Sequence, residues 1–371
     1  MPSGWAVRYD RVDAGRRSVA EAGETDLSAV THQISAALAA FVDDRVQSAV
    51  ARSFPVDVPL ALGEFLNAGG KRLRPLLRVL GWRAAGGTGP MTSAIRFGAA
   101  LEMFHVFCLI HDDVMDDPDT RRGRPTVHRA LAKRHRNGRT AQAAERVGVS
   151  AAILAGDLAL VWSDELLNAS EAQLEPEVRT RVLRLVGLMR TEVLFGQYMD
   201  LEATGRPSAD ADRAPAIVRY KTATYTCERP LQIGAALAGA FLDRLSAFAL
   251  PLGEAFQLRD DLLGVFGQQA ETGKSVLDDL REGKHTLLIA LALNAADPHQ
   301  ERLIRGLYGN PRLDERAAGT LREVLRATGA DRAVEDVISS RHAQSLAALD
   351  AMPLDADVRA ELAEQAAWRS G

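Results

Sequence analysis

The chain has 371 residues, 47% hydrophobic and 25% charged, a composition that excludes a disordered protein and suits a folded globular one. A formal net charge of −4 and an isoelectric point near 6.1 exclude a whole-molecule field for nucleic acid or an anionic membrane, so any basic site must be local. Two cysteines, Cys108 and Cys227, exclude a disulfide framework or a cysteine zinc cage and suit a reducing cytoplasm; there is no signal-peptide pattern, and no apolar run is expected to span a membrane.

Residues 1–25 carry no periodic apolar pattern and read as a flexible N-terminal tail. Apolar residues then recur at spacings of three and four, which predicts helices over 29–54, 76–86, 94–117, 144–169, 177–204, 213–224, 229–267, 285–295, 315–327, 331–350 and 355–368. These segments are rich in alanine, leucine and arginine, whereas alternating strand patterns are scarce. Turn-forming clusters at 86–90, 136–139, 204–210, 309–311 and 352–355 separate them, and none has the character of an interdomain linker. The expectation is a single all-α domain over 26–371, with 86–90 and the basic stretch 133–139 as solvated loops.

The densest charge lies in LIHDDVMDDPDTRRG, residues 109–123, at the end of an apolar helix. Asp112, Asp113 and Asp116 stand at i, i+1 and i+4, so the first and last share a helix face one turn apart, with Asp113 beside them. Carboxylates that close repel one another unless a hard cation sits among them, and Mg²⁺ takes one or two carboxylates together with phosphate oxygens and water. Alone, the cluster reads at least as well as a solvated helix end. A second pair, Asp260 and Asp261 in FQLRDD, falls on another apolar helix far along the chain, where intervening helices can return it to face the first across a diphosphate.

Positive charge is placed as selectively. Of 45 basic residues only five are lysines, and a compact ammonium near phosphate oxygens is not freely replaced by a planar guanidinium. Lys133 lies in an ordinary charged stretch; the other four fall in polar clusters. Lys71 stands with Arg72 and Arg74 in GGKRLRP, where the paired glycines allow close approach to an anion. Lys221 stands beside Thr222, and Lys274 and Lys284 lie in TGKSVLDDLREGKHT. Arg121, Arg122 and Arg124 follow the first aspartates, and His105 precedes Asp112 by seven residues, two turns on one face; a satisfied core histidine is the competing reading. Gln197 and Asp200 in GQYMD read equally as polar lining or as structural hydrogen-bonding groups.

The order GGKRxRP, DDxxD followed by RRG, then KT, FQxxDD and TGK resembles the trans-isoprenyl diphosphate synthases, the polyprenyl synthetases, over about residues 40–350. The wording is most similar to short-chain members of actinobacterial type that make geranylgeranyl or farnesyl diphosphate. The resemblance implies an all-α orthogonal bundle around a central apolar cavity, acting as a cytoplasmic homodimer. It implies Mg²⁺-dependent head-to-tail condensation of isopentenyl diphosphate with an allylic diphosphate (dimethylallyl, geranyl or farnesyl), with three ions per loaded site. By the same resemblance Asp112, Asp113, Asp116, Asp260 and Asp261 are metal ligands. Lys71, Arg74, His105 and Arg122 hold isopentenyl diphosphate, and Arg121, Lys221, Lys274 and Lys284 grip the allylic diphosphate. Thr222 and Gln257 lie near the allylic carbon, and the catalytic set is Asp112, Asp116, Lys221, Thr222, Gln257 and Asp260.

Two departures stand out: Gly264 occupies the place of the third carboxylate in the fuller DDxxD pattern, and Gln268 a place where an acidic residue often follows. For product length the resemblance points to Phe107, five residues before Asp112, followed by the smaller Cys108; that pairing goes with C20 first and C15 second. An ideal helical wheel instead selects Cys108 or Phe104 as the lining residue. A class I terpene cyclase shares the DDxxD helix but leaves GGKRLRP and Arg122 without a task. A non-catalytic subunit of a heteromeric synthase predicts damaged motifs, and Gly264 is the only damage visible.

Overall fold

The computed structural model describes residues 27–88, 91–172, 174–239, 242–267 and 276–367. The expected tail over 1–25, Gln268 and Lys274 therefore lie outside the described residues. Within them the chain is helical apart from one short hairpin. Helices α1 (Leu27–Ala51), α2 (Asp57–Asn67) and α3 (Leu73–Ala84) lead into α4 (Met91–Asp116); strands β1 (Thr120–Arg121) and β2 (Arg124–Pro125) follow, then α5 (Val127–Arg134), α6 (Ala141–Glu171) and α7 (Pro176–Ala203). After α8 (Arg213–Ile217) comes an eleven-residue π-helix (Val218–Glu228), continued by α9 (Arg229–Ala238) and α10 (Leu242–Phe266). The remainder comprises α11 (Val276–Glu282), α12 (Leu287–Ala295), α13 (Pro298–Leu307), α14 (Glu315–Ala327), α15 (Ala330–Asp350) and α16 (Ala356–Ala367).

α4 is the axis of the first core. It packs along α6 and against α1 and α3, and it buries Phe97, Met103, Phe104 and Ile110 to 2% exposure or less. Burying a side chain of that size stabilises by about 1.5–3 kcal/mol. A second core gathers α10, α12, α14 and α15, and a third gathers α3, α9, α10 and α16. By length and composition α4 and α6 could each cross a membrane, contrary to the expectation that no run would. In α4 the apolar residues are the core itself, so burial accounts for them. In α6 part of the apolar surface faces outward, with Ile153, Leu154 and Val161 exposed.

Several elements differ from the sequence expectation. α2 and α5 are short and escape a periodicity reading, so Lys133 and Arg134, expected in a loop, form the last turn of α5. α13 has no counterpart among the expected helices although it carries a start signal: Asp297 accepts from the N–H groups of His299 and Gln300, and the Gln300 side chain accepts from the Asp297 N–H. The helix expected over 229–267 breaks at Gly239, whose φ of 92° closes α9. The π-helix is held tightly from both sides by glycines. A Cβ on Gly196 of α7 would lie 2.3 Å from the Lys221 nitrogen, and one on Gly253 of α10 would lie 2.6 Å from the Ala223 Cα. These close approaches fix Lys221 and Thr222 between two long helices.

Candidate active site

α4 stops at Asp117, which takes a left-handed φ of 55°, followed by Pro118. The hairpin then turns through Arg122 and Gly123, both with positive φ, as a two-residue turn matched to strand twist requires. This returns Arg121 onto α4. Its Nε donates to both Asp113 oxygens at 2.8 and 2.9 Å, and its Nη2 donates to Asp112 Oδ2 at 3.1 Å. Burial opposes the Arg121 charge, but Asp113 and Asp112 outweigh it and strengthen the cation. The Asp113 side chain is only 1% exposed, so it anchors Arg121 rather than facing open space.

Two lysines bridge from other elements to the first cluster. Lys221 Nζ donates to Asp200 Oδ2 at 2.6 Å and reaches Asp112 Oδ1 at 3.5 Å. Gln197 Nε2 donates to the same Asp112 oxygen at 3.2 Å. Gln197 and Asp200, undecided from sequence, thus both join the site. Lys284 Nζ stands 2.8 Å from Asp116 Oδ2 and 2.9 Å from Glu282 Oε2. Both lysines are desolvated, which opposes their charge, yet the surrounding carboxylates raise both pKa values, that of Lys284 well above its usual range.

The second cluster faces these cations across a cleft of about 260 Å³, lined in part by Arg121, Asp200, Lys221, Thr222, Gln257, Asp260, Asp261 and Lys284. Asp260 is exposed and, among the described residues, carries no ion pair. Thr222 Oγ1 donates to Gln257 Oε1 at 2.6 Å, and Gln257 Nε2 donates to Asp261 Oδ1 at 2.8 Å. Burial pushes the Asp261 carboxyl up to about 7, with Asp260 adding to it and the Gln257 hydrogen bond opposing it. At Gly264 a Cβ would lie 2.2 Å from Asp279 Oδ2. The space a third carboxylate would enter is already filled by Asp279 from α11.

A second group of cations gathers around the loop before α3. Arg122 Nη1 donates to the Gly69 carbonyl, and a Cβ on Gly70 would lie 3.1 Å from that nitrogen, so the glycine pair leaves room for a guanidinium. Arg72 turns inward to Glu102 at 2.6 Å and serves structure. Arg74 Nη2 donates to Thr226 Oγ1 at 2.7 Å while its Nε is buried without a hydrogen-bond partner. His105 Nδ1 lies 3.1 Å from the Tyr225 hydroxyl. Burial, together with Arg74, Arg121, Arg122 and Arg72, drives the His105 pKa well below the ordinary histidine value. Lys71 is exposed on that loop.

Below the first cluster, Phe107 is buried against the rings of Phe104 at 5.4 Å and His111 at 4.7 Å. Of Phe104, Phe107 and Cys108, only Cys108 keeps appreciable accessible surface. Tyr225, Asp279 and Glu282 were missed by the sequence reading.

The donor set fits a hard divalent ion. Asp112 and Asp116 on α4 and the exposed Asp260 across the cleft offer carboxylate oxygens, of which Mg²⁺ takes one or two beside phosphate oxygens and water. Asp112, Asp116 and Asp260 are the residues that would hold it.

An all-helical bundle with two carboxylate sets across a cationic cleft defines a class of diphosphate-handling helical enzymes, and the comparisons narrow it. The polyprenyl synthetase family model matches residues 59–325, and the chain belongs to that family. Geranylgeranyl diphosphate synthase of Sulfolobus acidocaldarius is 32% identical, over 72% of this chain and 76% of its own length. Nonaprenyl diphosphate synthase of Mycobacterium tuberculosis is also 32% identical, over 79% of this chain and 80% of its own. A crystal structure of geranylgeranyl pyrophosphate synthase from Corynebacterium glutamicum, complexed with isoprenyl diphosphate and magnesium, superposes with a TM-score of 0.86 at 39% identity, covering 93% of this chain and 99% of that one. The chain is a divalent-metal-dependent trans-prenyltransferase with the all-α isoprenoid synthase fold.

Proposed function

We propose that the chain condenses isopentenyl diphosphate with dimethylallyl, geranyl or farnesyl diphosphate, making geranylgeranyl diphosphate as main product and farnesyl diphosphate second. The observation that carries this reading is the pair of separate cation groups: Arg121, Lys221 and Lys284 within the carboxylate cleft, and Lys71, Arg74, Arg122 and His105 around the glycine loop. Two diphosphates need two such sites, and a cyclase needs one.

In the cleft, Arg121, Lys221 and Lys284 exchange carboxylate partners for diphosphate oxygens and stabilise the charge that grows as the allylic C–O bond ionises. Bound Mg²⁺, three ions in the loaded site, supplies Lewis-acid charge at those oxygens, held by Asp112, Asp116 and Asp260. Asp113 orients Arg121 instead of serving as a ligand, and Asp261, tied to Gln257, supports Asp260. The Thr222–Gln257 chain presents oxygens beside the cationic carbon, while Lys274 completes the allylic grip by resemblance. The isopentenyl double bond attacks the carbocation to form the new C–C bond, and the resulting cation gives a proton to the departed diphosphate beside it.

We read 26–371 as one domain and the outward apolar face of α6 and α7 as a homodimer interface in a cytoplasmic enzyme. Phe195 and Tyr198, each 64% exposed, support that reading, because an apolar patch of this kind rarely faces water on a monomer. Incubation of purified protein with Mg²⁺, isopentenyl diphosphate and each starter, followed by product analysis, tests the reaction. A C20 diphosphate supports it; hydrocarbon formed without isopentenyl diphosphate points to a cyclase, and no product at all to a non-catalytic subunit.

A further inference from the structure

Tyr225 lies four residues beyond Lys221 on the π-helix and is 3% exposed, yet it belongs to neither aspartate cluster. Two polar neighbours converge on it. The Arg74 guanidinium sits over its ring at 4.1 Å from the centroid, and its hydroxyl lies 3.1 Å from His105 Nδ1. Phe104 closes the ring edge at 6.0 Å. We propose that Tyr225 is a positioning residue for the isopentenyl diphosphate pocket, its hydroxyl fixing the His105 tautomer and its ring seating Arg74.

This rests on the reading of Lys71, Arg74, His105 and Arg122 as that pocket. The direction of the hydrogen-bond chain follows from what each group can do. Burial above all keeps the Tyr225 phenol protonated, so it brings one donor. His105 is held neutral by burial and by four arginines, so it has one donor and one acceptor nitrogen. A phenol is a stronger donor than acceptor and an imidazole nitrogen a good acceptor, so the phenol donates to Nδ1. Nε2 then carries the proton and is free to donate to a phosphate oxygen. In the other tautomer Nε2 would present a lone pair to the anion and repel it; the partner on one ring nitrogen decides what the other offers. The ring acts separately: a guanidinium over an aromatic face loses rotational freedom, which leaves the unpartnered Arg74 Nε set in one direction.

The test uses the full chain with Tyr225→Phe and Tyr225→Leu, varying isopentenyl and farnesyl diphosphates independently, with ¹⁵N NMR of the imidazole nitrogens. Tyr225→Phe keeps the ring and loses the hydroxyl. It should raise the KM for isopentenyl diphosphate about tenfold, the loss expected of one hydrogen bond worth about 1.4 kcal/mol. kcat and the allylic KM should stay within about twofold, and His105 should become a mixture of tautomers, a readout that needs no turnover. Tyr225→Leu, which also loses the ring, should add roughly another tenfold to the same KM. An unchanged tautomer and unchanged isopentenyl KM in Tyr225→Phe, with a wild type that elongates normally, overturns the proposal, as does an equal loss for both substrates. A wild type that binds no isopentenyl diphosphate overturns the pocket reading and this inference with it.

Discussion

Lys284 Nζ lies 2.8 Å from Asp116 Oδ2 and 2.9 Å from Glu282 Oε2, so one ammonium ties the first aspartate cluster to the segment that follows α11. In the proposed reaction that ion pair would compete with the metal for Asp116, and Glu282 would still hold Lys284 at the cleft once Asp116 was taken. Lys284→Ala is therefore expected to act in two opposite directions. Calorimetry should show tighter Mg²⁺ binding without substrate, while single-turnover rates fall by about 10²–10³ through loss of charge stabilisation on the leaving diphosphate. Unaltered single-turnover rates would remove Lys284 from the reaction.

Product length tests the proposed role of Phe107 and Cys108 in ending chain growth. Phe107→Ala should yield chains longer than C20, and because Phe107 is buried against two rings it should also cost about 3–5 kcal/mol of stability. Cys108→Phe should shift the product toward C15. Chromatography of products beside thermal melts separates the two effects; unchanged product distributions from both folded variants would contradict the assignment.

The sequence was most informative where chemistry follows spacing along one helix. Asp112 and Asp116 share a face, and they meet Lys221 and Lys284 much as isolated lysines in an arginine-rich chain suggested. Asp113 sits one residue, about 100°, off that face, and its inward turn onto Arg121 depends on the hairpin, a tertiary fact. Tyr225 was not legible because the π-helix breaks the 3.6-residue period on which face assignments depend. The Gly264 departure looked like damage in one dimension; in three, Asp279 of another helix fills the space.

That packing makes Gly264→Ala informative. Alanine is the better helix former by about 0.8–1 kcal/mol, so stability should hold or rise slightly. The Cβ nonetheless forces the Asp279 carboxylate to move from its place at the cleft, and kcat should fall by about tenfold, roughly 1.4 kcal/mol of barrier. Melting curves and steady-state rates on one preparation check both parts; unchanged kcat would show that the position of Asp279 does not matter.

Far from the cleft, Glu171 at the end of α6 is fully buried, neither carboxylate oxygen has a hydrogen-bond partner, and burial raises its pKa to about 7. The unfolded chain releases this proton near 4.5, so between about pH 4.5 and 7 the folded state binds more protons and stability falls as pH rises. Glu171→Gln should therefore melt higher than wild type at pH 8, by roughly 3 °C or more, with the advantage gone at pH 4.5. A difference independent of pH would show that ionisation of Glu171 is not its origin.

The most direct test of metal-dependent prenyl transfer compares wild type with Asp112→Ala, using isopentenyl and farnesyl diphosphates with and without Mg²⁺. Arg121 keeps Asp113 and Lys221 keeps Asp200 when Asp112 is removed, so the variant should melt within about 3 °C of wild type. Wild type with Mg²⁺ should release the C20 diphosphate and lose that activity to a chelator, while Asp112→Ala should fall by at least about 10³. Near-normal turnover by a folded Asp112→Ala at saturating Mg²⁺, or a wild type that leaves farnesyl diphosphate unextended, would contradict it.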